Sequence, residues 1–585
     1  MIEVIFFGAG QYAKMLNVLL DGMVDVKYYI DNDHNKWGYE LNGITIHSPD
    51  ELLKEKGDFI VVIAAEGVFE EIRNQLIQCR AARLEQIYSY SSFCEYLCAI
   101  TKNTVPSKMN FSRGLFFSEL CKSLMSDFDS EVVLRKISNV IETIVEKADA
   151  GFWRVAGGDL TFIKYMKLLQ GVIEKNKKNR KSPTLYSLVN ELSKQAIVET
   201  EDKLKVAFLA DRVFCWSSLE SVYSACANDD RFTAQIVYVP FYHINTNSSV
   251  NHYEIYKDKM NLPVFRHTEY NISAENPDVV FYVNPYDLSI PFNYSNEHVG
   301  KVVSRIVYMG YALEIASWAF DYYFQCPIQQ KAWKHIVYGE KIKDIAVKKN
   351  SKNGGNNIVA WGHPRADHYM SIEVNREKIS DVWKNKIKNR KTFLWNTHHT
   401  IIEKDVGGGT FFRWKDEVLD YFNNNDNAFL LWRPHPLMFG VLINNGLMTE
   451  AELNNLVELI QNKENALIDL SSDYRNSFYA SDAIITDGTG FLVEYLYTGK
   501  PIIYTPRGID NIFFYEEFCE NVYTAKNSGD ITEMINQLSQ GVDTLREKRH
   551  AFADELLTVH SGGNGEYIKE QIYEEILNEE KQRGI

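Results

Sequence analysis

Trp432-Arg433-Pro434-His435-Pro436 sets a guanidinium and an imidazole on one rigid segment, directly after the apolar run Phe429–Leu431. The two prolines stop a strand and hold the chain extended. Arg433 and His435 are therefore expected at a strand's carboxyl end, where open α/β sheets bind ligands. Arginine suits phosphate pairing, and histidine can bond phosphate or move a proton near neutral pH. A rigid loop with a structural histidine is the plainer alternative. A second segment, Thr486-Asp487-Gly488-Thr489-Gly490, follows the apolar run Ala483–Ile485 and precedes an apolar, helix-like stretch. This predicts strand, tight turn and helix, with free N–H groups and the Thr489 hydroxyl at the helix N-terminus, a favoured place for an anion. Glu494 lies two helical turns beyond Asp487 on the same face. It could accept hydrogen bonds from glycerol or ribose hydroxyls, or cap a buried end.

Two further segments carry similar ingredients. Trp361-Gly362-His363-Pro364-Arg365-Ala366-Asp367-His368 offers Arg365 as a ligand contact, or an Arg365–Asp367 pair that only fixes the loop. The run Phe393–Asn396 leads into Thr397-His398-His399-Thr400. Adjacent residues on an extended chain point opposite ways, so one histidine of the pair is expected to be structural, and His398 is taken as the donor contact. No nearby carboxylate–histidine spacing accompanies the pair, so no metal site is expected.

These segments need elements to position them. The chain opens on the apolar run Glu3–Phe7, then Gly8-Ala9-Gly10-Gln11-Tyr12-Ala13, a helical pattern, and a second strand-like run, Val26–Ile30, ending at Asp31. Glycines at 8 and 10, Ala13, and an acid about 20 residues on form a dinucleotide-type fingerprint between strand and helix. Residues 1–95 read as a small Rossmann-like nucleotide- or nucleotide-sugar-binding domain, with Gly8, Gly10, Ala13 and Asp31 at its site. Residues 96–200 read as a helical connector, with helical spacing over Glu131–Lys147 and Leu185–Ile197. The basic run at Lys175–Lys181 is a solvated loop or a membrane-surface patch. From Leu204 strands and helices alternate, with strands at Leu204–Leu209, Ala234–Pro240, Val279–Val283 and Val302–Met309. The pattern restarts at Ile358, with strands at Thr392–Trp395, Phe429–Trp432, Ala483–Ile485 and Ile502–Tyr504. This predicts two α/β halves with parallel sheets, 201–347 and 348–585, and a cleft between them.

Bulk composition narrows the classes. At 585 residues the chain exceeds a single core. Its 63 Lys and Arg against 78 Asp and Glu give a net charge of −15, without the basic footprint of a nucleic-acid binder. Eight scattered cysteines suggest neither a disulfide framework nor a zinc site. No apolar run of about 20 residues and no leader pattern is present, so a cytoplasmic protein is expected.

The ordered segments GHPRAD, FLWNTHHT, LLWRPHP, SDAIITDGTGFLVE and KPIIYT resemble the CDP-glycerol glycerophosphotransferase family, the teichoic acid polymerases and primases. The similarity runs from about Leu204 to the C-terminus and includes Ser561-Gly562-Gly563-Asn564-Gly565-Glu566. It implies a GT-B fold, a CDP-activated polyol phosphate donor, no cofactor or catalytic metal, and peripheral association with the inner membrane face, where lipid-linked acceptors sit. His435 would be the phosphate-binding catalytic histidine, assisted by Arg433 and Asp487. Thr486, Gly488, Thr489, Gly490, Glu494, Arg365 and His398 would line the donor site. The family's acceptor-side His-Gly pair is absent: the matching stretch is Met309-Gly310-Tyr311, leaving Tyr311 or Glu314 as substitute bases. The donor loop also keeps a single hydroxyl, that of Thr489. A glycosyltransferase using a nucleotide sugar, or a non-catalytic nucleotide-sugar binder, are the other readings, and a homo-oligomer is compatible with each. The first unit resembles small nucleotide-sugar-binding Rossmann domains, through Phe7–Gly10 and Asp31–Gly38.

Overall fold

The computed structural model describes, in the first unit, residues 2–10, 24–56, 59–64, 68–79 and 81–90. It then describes 157–175, 203–243, 248–313, 315–316, 326–349, 354–377, 379–402, 408–507 and 516–582, together with scattered single positions. The chain is mixed α/β, built on three sheets that are parallel apart from one edge pair. Apart from single helical positions at 138, 141, 189 and 192, the proposed helices at Glu131–Lys147 and Leu185–Ile197 lie outside the described residues, as do Glu314 and the basic residues after Lys175. Between the first unit and Leu204 the described helix is Gly157–Lys175.

Six strands form the first sheet: β1 (Ile2–Phe7), β2 (Val24–Ile30), β3 (Glu40–Leu41), β4 (Ile44–His47), β5 (Ile60–Ile63) and β6 (Ile87–Ser89), in the order β3-β4-β2-β1-β5-β6. Strand β1 is central because its Val4–Phe7 run is buried on both faces, as continuous apolar runs in parallel sheets must be. The turn after it needs Gly8, whose φ is +103° and whose position leaves no room for a side chain: a Cβ there would lie 3.0 Å from the Ala64 carbonyl oxygen. One face of this unit shares a core with Tyr242 and Phe292 of the next domain, so the two pack together.

The second sheet has seven parallel strands, in the order β11-β8-β7-β12-β13-β14-β15. They are β7 (Leu204–Ala210), β8 (Phe232–Tyr238), β11 (Val264–Arg266), β12 (Val279–Tyr282), β13 (Ile306–Met309), β14 (Lys334–Ile336) and β15 (Ile358–Val359), with a hairpin of β9 (Phe241–His243) and β10 (Ser248–Val250) beside them. The third sheet orders β18 (Ala466–Ile468), β17 (Ala428–Pro434), β16 (Lys391–Thr397), β19 (Ala483–Thr486), β20 (Ile502–Tyr504) and β21 (Tyr523–Thr524) in that sequence.

Two features correct the sequence boundary between the halves. Ile358–Val359, read as opening the second half, pairs with β14 and completes the first half's sheet. The last helix, Asn564–Gln582, also returns to the first half. Its Ile568, Ile572 and Ile576 are spaced four apart, line one helical stripe, and join the core of Val222, Cys226 and Phe281. Arg305 and Trp333 then fix the far end of that helix through Glu579, at 2.9 and 2.6 Å.

Candidate functional site

Register in the third sheet brings the candidate segments together. Asn396 on β16 pairs with Arg433 on β17 and with Thr486 on β19. The residues just beyond, His398, His435 and the Asp487–Gly490 turn, therefore emerge side by side at the carboxyl edge of three adjacent strands. The His435 N–H donates to the Thr397 carbonyl at 2.9 Å, which ties the second segment to the first.

Three imidazoles meet at this edge. Ring centroids are 4.1 Å apart for His399 and His435, 4.4 Å for His398 and His399, and 5.0 Å for His398 and His435. Both members of the His398–His399 pair thus reach the site, contrary to the expectation that one would be structural: the chain leaves β16 in a turn instead of continuing extended. Burial, then the charge of Arg507, hold His399 down to about 4. Burial, then His399, Arg433 and Arg507, hold His435 down to about 3. His398 is held well below its ordinary value by burial, then by Arg507, His435 and His399. All three are neutral at pH 7.

Their tautomers follow from their backbone partners. The His435 Nδ1 accepts the Leu437 N–H at 3.2 Å, and the His398 Nδ1 accepts the Thr400 N–H at 3.4 Å with the Thr400 hydroxyl, 2.9 Å away, able to donate to the same nitrogen. A neutral ring whose Nδ1 accepts carries its proton on Nε2, so each presents an Nε2–H donor. The nitrogens of the trio lie within 4.8 Å of one another, close enough to hold a metal ion. The charges argue otherwise. A metal on Nε2 needs the proton on Nδ1, where His398 and His435 accept N–H groups, and the positive charge of Arg507 acts on all three rings. The Nδ1 of His399 has no hydrogen-bond partner among the described residues.

Beside the trio, the helix Thr489–Leu496 begins after Gly488 with no side chain capping it. The N–H groups of Thr489, Gly490 and Phe491 open that helix, where no intrahelical carbonyl can meet them. The Thr489 hydroxyl makes no hydrogen bond among the described residues, and a Cβ at Gly490 would meet nothing within 4 Å. Neutral N–H donors, a helix N-terminus and Arg507 form an anion cradle. Arg507 was not picked out from the sequence. Its signal was position: it follows Tyr504-Thr505-Pro506 at the end of β20, next to the strand that carries Asp487.

Other predicted residues stand elsewhere or act inside the protein. Asp487 is buried, and its carboxylate accepts the His398 N–H at 2.9 Å and the Thr410 N–H at 2.6 Å. It ties together the loops around the cradle. Thr486 donates to Asn396 Oδ1 at 2.9 Å and accepts the Gly488 N–H at 2.9 Å. Arg433 pairs with Asp469 and donates to the Ser471 carbonyl at 2.7 Å, beneath the His435 loop.

Glu494 is fully buried. Its carboxylate accepts hydrogen bonds from Arg365 at 2.7 Å, Tyr369 at 2.7 Å and Tyr474 at 2.6 Å. Arg365 also donates to Ser218 at 3.0 Å and to the Phe214 carbonyl at 3.2 Å, both in the first half. The expected donor contacts Glu494 and Arg365 therefore form a buried bolt across the junction of the halves. The Arg365–Asp367 pair does not form. Asp367 instead accepts the N–H groups of Asn564 and Gly565, at 2.6 and 2.8 Å, and caps the last helix.

In the first unit, Asp31 accepts the Ala9 N–H at 2.8 Å and the Lys36 ammonium at 2.9 Å. Burial pushes its carboxyl up, but Lys36 and the N–H groups of Asp33 and Ala9 hold it below its ordinary range. Gly8 and Asp31 do come together, yet the acid takes up the loop N–H that a diphosphate would need. Gly10 follows in that loop, and Ala13 is buried behind it. In the first half, Tyr311 packs its ring 4.9 Å from the Arg212 guanidinium, with its hydroxyl 3.5 Å from that of Tyr286.

Residues 316–574 match the family model of CDP-Glycerol:Poly(glycerophosphate) glycerophosphotransferase. Residues 1–85 match the model named C2185-like, N-terminal. No curated protein matches the chain. Among solved structures, a variant of the wall teichoic acid polymerase TagF aligns at 13% identity, covering 72% of this chain and 98% of that one, with a TM-score of 0.44. The UDP co-structure of S. aureus MnaA aligns at 14% identity over 63% of this chain and 94% of that one, TM-score 0.41. The Methanocaldococcus jannaschii UDP-GlcNAc 2-epimerase, in complex with UDP-GlcNAc and UDP, aligns at 14% identity over 63% and 99%, TM-score 0.43. Among the described residues no helix is long and apolar enough to cross a membrane.

Proposed function

We propose that the protein transfers a polyol phosphate from a CDP-activated donor, CDP-glycerol or a close relative, to a hydroxyl of a lipid-linked or glycan acceptor during cell-surface polymer synthesis. The observation that carries this reading is the cradle: Nε2–H donors of His398 and His435, with His399, Arg507 and the Thr489 helix N-terminus at one sheet edge, inside the region of the family match. It suits a diphosphate, which brings charge and acceptor oxygens together.

In the reaction, the acceptor oxygen forms a bond to the donor's polyol-bearing phosphorus. The bond from that phosphorus to the bridging oxygen of CMP breaks, and the acceptor proton passes to a base or to water. His435 donates to a non-bridging oxygen, and Arg507 with the helix N-terminus stabilises charge building on the leaving CMP. Asp487 and Arg433 act as positioning residues for the His398 and His435 loops. Docking at the inner face of the cell membrane belongs to the same proposal, because a lipid-linked acceptor is presented there.

Purified protein incubated with CDP-glycerol and a lipid-linked acceptor should release CMP. Release of UDP from a UDP-sugar, with none of CMP, would favour the glycosyltransferase reading; that alternative draws on the missing acceptor-side histidine at Met309-Gly310-Tyr311. Release of neither nucleotide would overturn both.

A further inference from the structure

The first half carries a second set of polar groups, at the carboxyl edge of its own sheet. Phe281 on β12 pairs with Phe208 on β7 and with Val307 on β13. Three residues on, Asn284 thus lies level with Asp211 and with Gly310, so Asp211-Arg212, Asn284 and Gly310-Tyr311 leave three adjacent strands at one carboxyl edge. That is again the ligand edge of an open α/β sheet.

Arg212 is held there by aromatic rings. Its guanidinium carbon lies 3.7 Å from the Phe241 centroid, 4.9 Å from Tyr311 and 5.0 Å from Phe214. Its Nε and Nη2 donate to Asp211 Oδ2 at 3.3 and 3.1 Å, and Asp211 Oδ1 accepts the Arg212 backbone N–H. Nη1 makes no hydrogen bond among the described residues. Asn284 is 6% exposed; its Oδ1 accepts the Tyr286 N–H at 3.0 Å, and its Nδ2 has no partner among the described residues.

The inventory is one-sided. The Asp211 carboxylate and the Asn284 carbonyl are already taken by protein N–H groups. What remains open are N–H donors, Arg212 Nη1 and Asn284 Nδ2. A hydroxyl group needs an acceptor as well as a donor, whereas an anionic oxygen needs donors alone. The Asp211–Arg212 pair also forms a dipole whose positive end is Nη1, in surroundings made weakly screening by three rings.

We infer that Arg212 and Asn284 form a subsite for an anionic phosphate oxygen of the acceptor, distinct from the donor cradle on the opposite half. The inference rests on the transferase reading only in assigning this half to the acceptor. The phosphate could come from a phosphodiester in a growing polymer or from a lipid headgroup, and the test separates the two.

The experiment uses the full chain saturated with CDP, which fills the donor cradle. Calorimetric titration with glycerol 3-phosphate should then show a second binding event, and pelleting with vesicles containing phosphatidic acid should report the lipid source. Asn284→Asp keeps the oxygen that caps the Tyr286 N–H and removes the donor, and should weaken the soluble or the vesicle arm about tenfold or more. Arg212→Lys keeps the charge and should weaken it less. CDP affinity, read in parallel, should stay within about twofold, and this also checks that each variant is folded. Wild-type protein that binds CDP but neither phosphate probe, or Asn284→Asp binding either probe as tightly as wild type, would overturn the subsite. Because these arms need no turnover, failure to release CMP would overturn the transferase reading without touching them. In a turnover assay, Asn284→Asp should raise KM for a phosphate-bearing acceptor and leave an uncharged polyol acceptor unchanged.

Discussion

The Arg365 guanidinium donates to the Glu494 carboxylate at 2.7 Å inside the junction of the two halves, and neither side chain is exposed by more than a few per cent. Breaking a buried pair from one side leaves an uncompensated charge, at a cost of about 3–5 kcal/mol. Glu494→Gln should therefore lower stability to urea by that order and weaken CDP binding only through loss of folded protein. Equilibrium unfolding with and without saturating CDP checks this. If Glu494→Gln keeps full stability but loses CDP affinity, the residue touches the donor and the junction role is wrong.

His435 and Arg433 stand two residues apart yet should separate experimentally. His435 has its Nδ1 on the Leu437 N–H and its other nitrogen toward the cradle, so His435→Ala should cut turnover about a hundredfold or more with little change in melting temperature. Arg433 is buried on Asp469 and the Ser471 carbonyl, so Arg433→Met should lower the melting temperature by several degrees. Thermal unfolding measured alongside initial rates distinguishes the two. Equal thermal losses in both variants would contradict the division.

The donor-loop glycines differ in the space around them. A Cβ at Gly488 would lie 3.0 Å from Asn396 Oδ1 and 3.3 Å from Thr486 Oγ1, while one at Gly490 would meet nothing within 4 Å. Gly488→Ala should destabilise the protein through that crowding. Gly490→Ala should leave the melting temperature unchanged and weaken CDP binding, because the added methyl enters the open space over the helix N-terminus. Calorimetric CDP affinity of Gly490→Ala, compared with its melting curve, is decisive: unchanged affinity would mean that the space lies outside the donor site.

Much of this fold was legible because apolar runs with turn residues mark buried parallel strands. β7, β12, β16, β17, β19 and β20 all coincide with such runs, and the strand ends carrying His435 and the Asp487 turn were found from them. β15, β18 and β21 span two or three residues and carry no periodic signal; β20 is as short but follows the turn residues Gly499-Lys500-Pro501. With no periodic signal to place it, Ile358–Val359 was given to the wrong half. In the site, residue types were readable but their partners were not. Glu494 has the right spacing for a ligand contact, and only the approach of Tyr369, Tyr474 and Arg365 from distant segments shows that its oxygens are occupied. Arg507 was missed for the converse reason: a lone arginine after a strand gains meaning only when three histidines face it.

A last prediction concerns acid. The His363 Nδ1 accepts the Arg365 N–H at 3.3 Å, so its Nε2 carries the proton and donates to the Gly310 carbonyl at 2.9 Å. Burial, then the Arg365 charge, push this histidine down to about 3. His435 is pushed to about 3 and His399 to about 4, again chiefly by burial. In the unfolded chain each titrates near its ordinary value of about 6.5. Below that pH the unfolded state binds protons that the folded state refuses, so stability is full above about pH 7 and falls as pH drops toward about 4. Each such histidine steepens the fall by up to about 1.4 kcal/mol per pH unit. His363→Gln offers an amide oxygen and an amide N–H without a titrating ring, so it should reduce proton uptake on unfolding by about one between pH 5 and 6. Urea unfolding free energies at pH 7.5, 6 and 5 measure the slope, and a slope equal to wild type would show that His363 titrates normally in the folded protein.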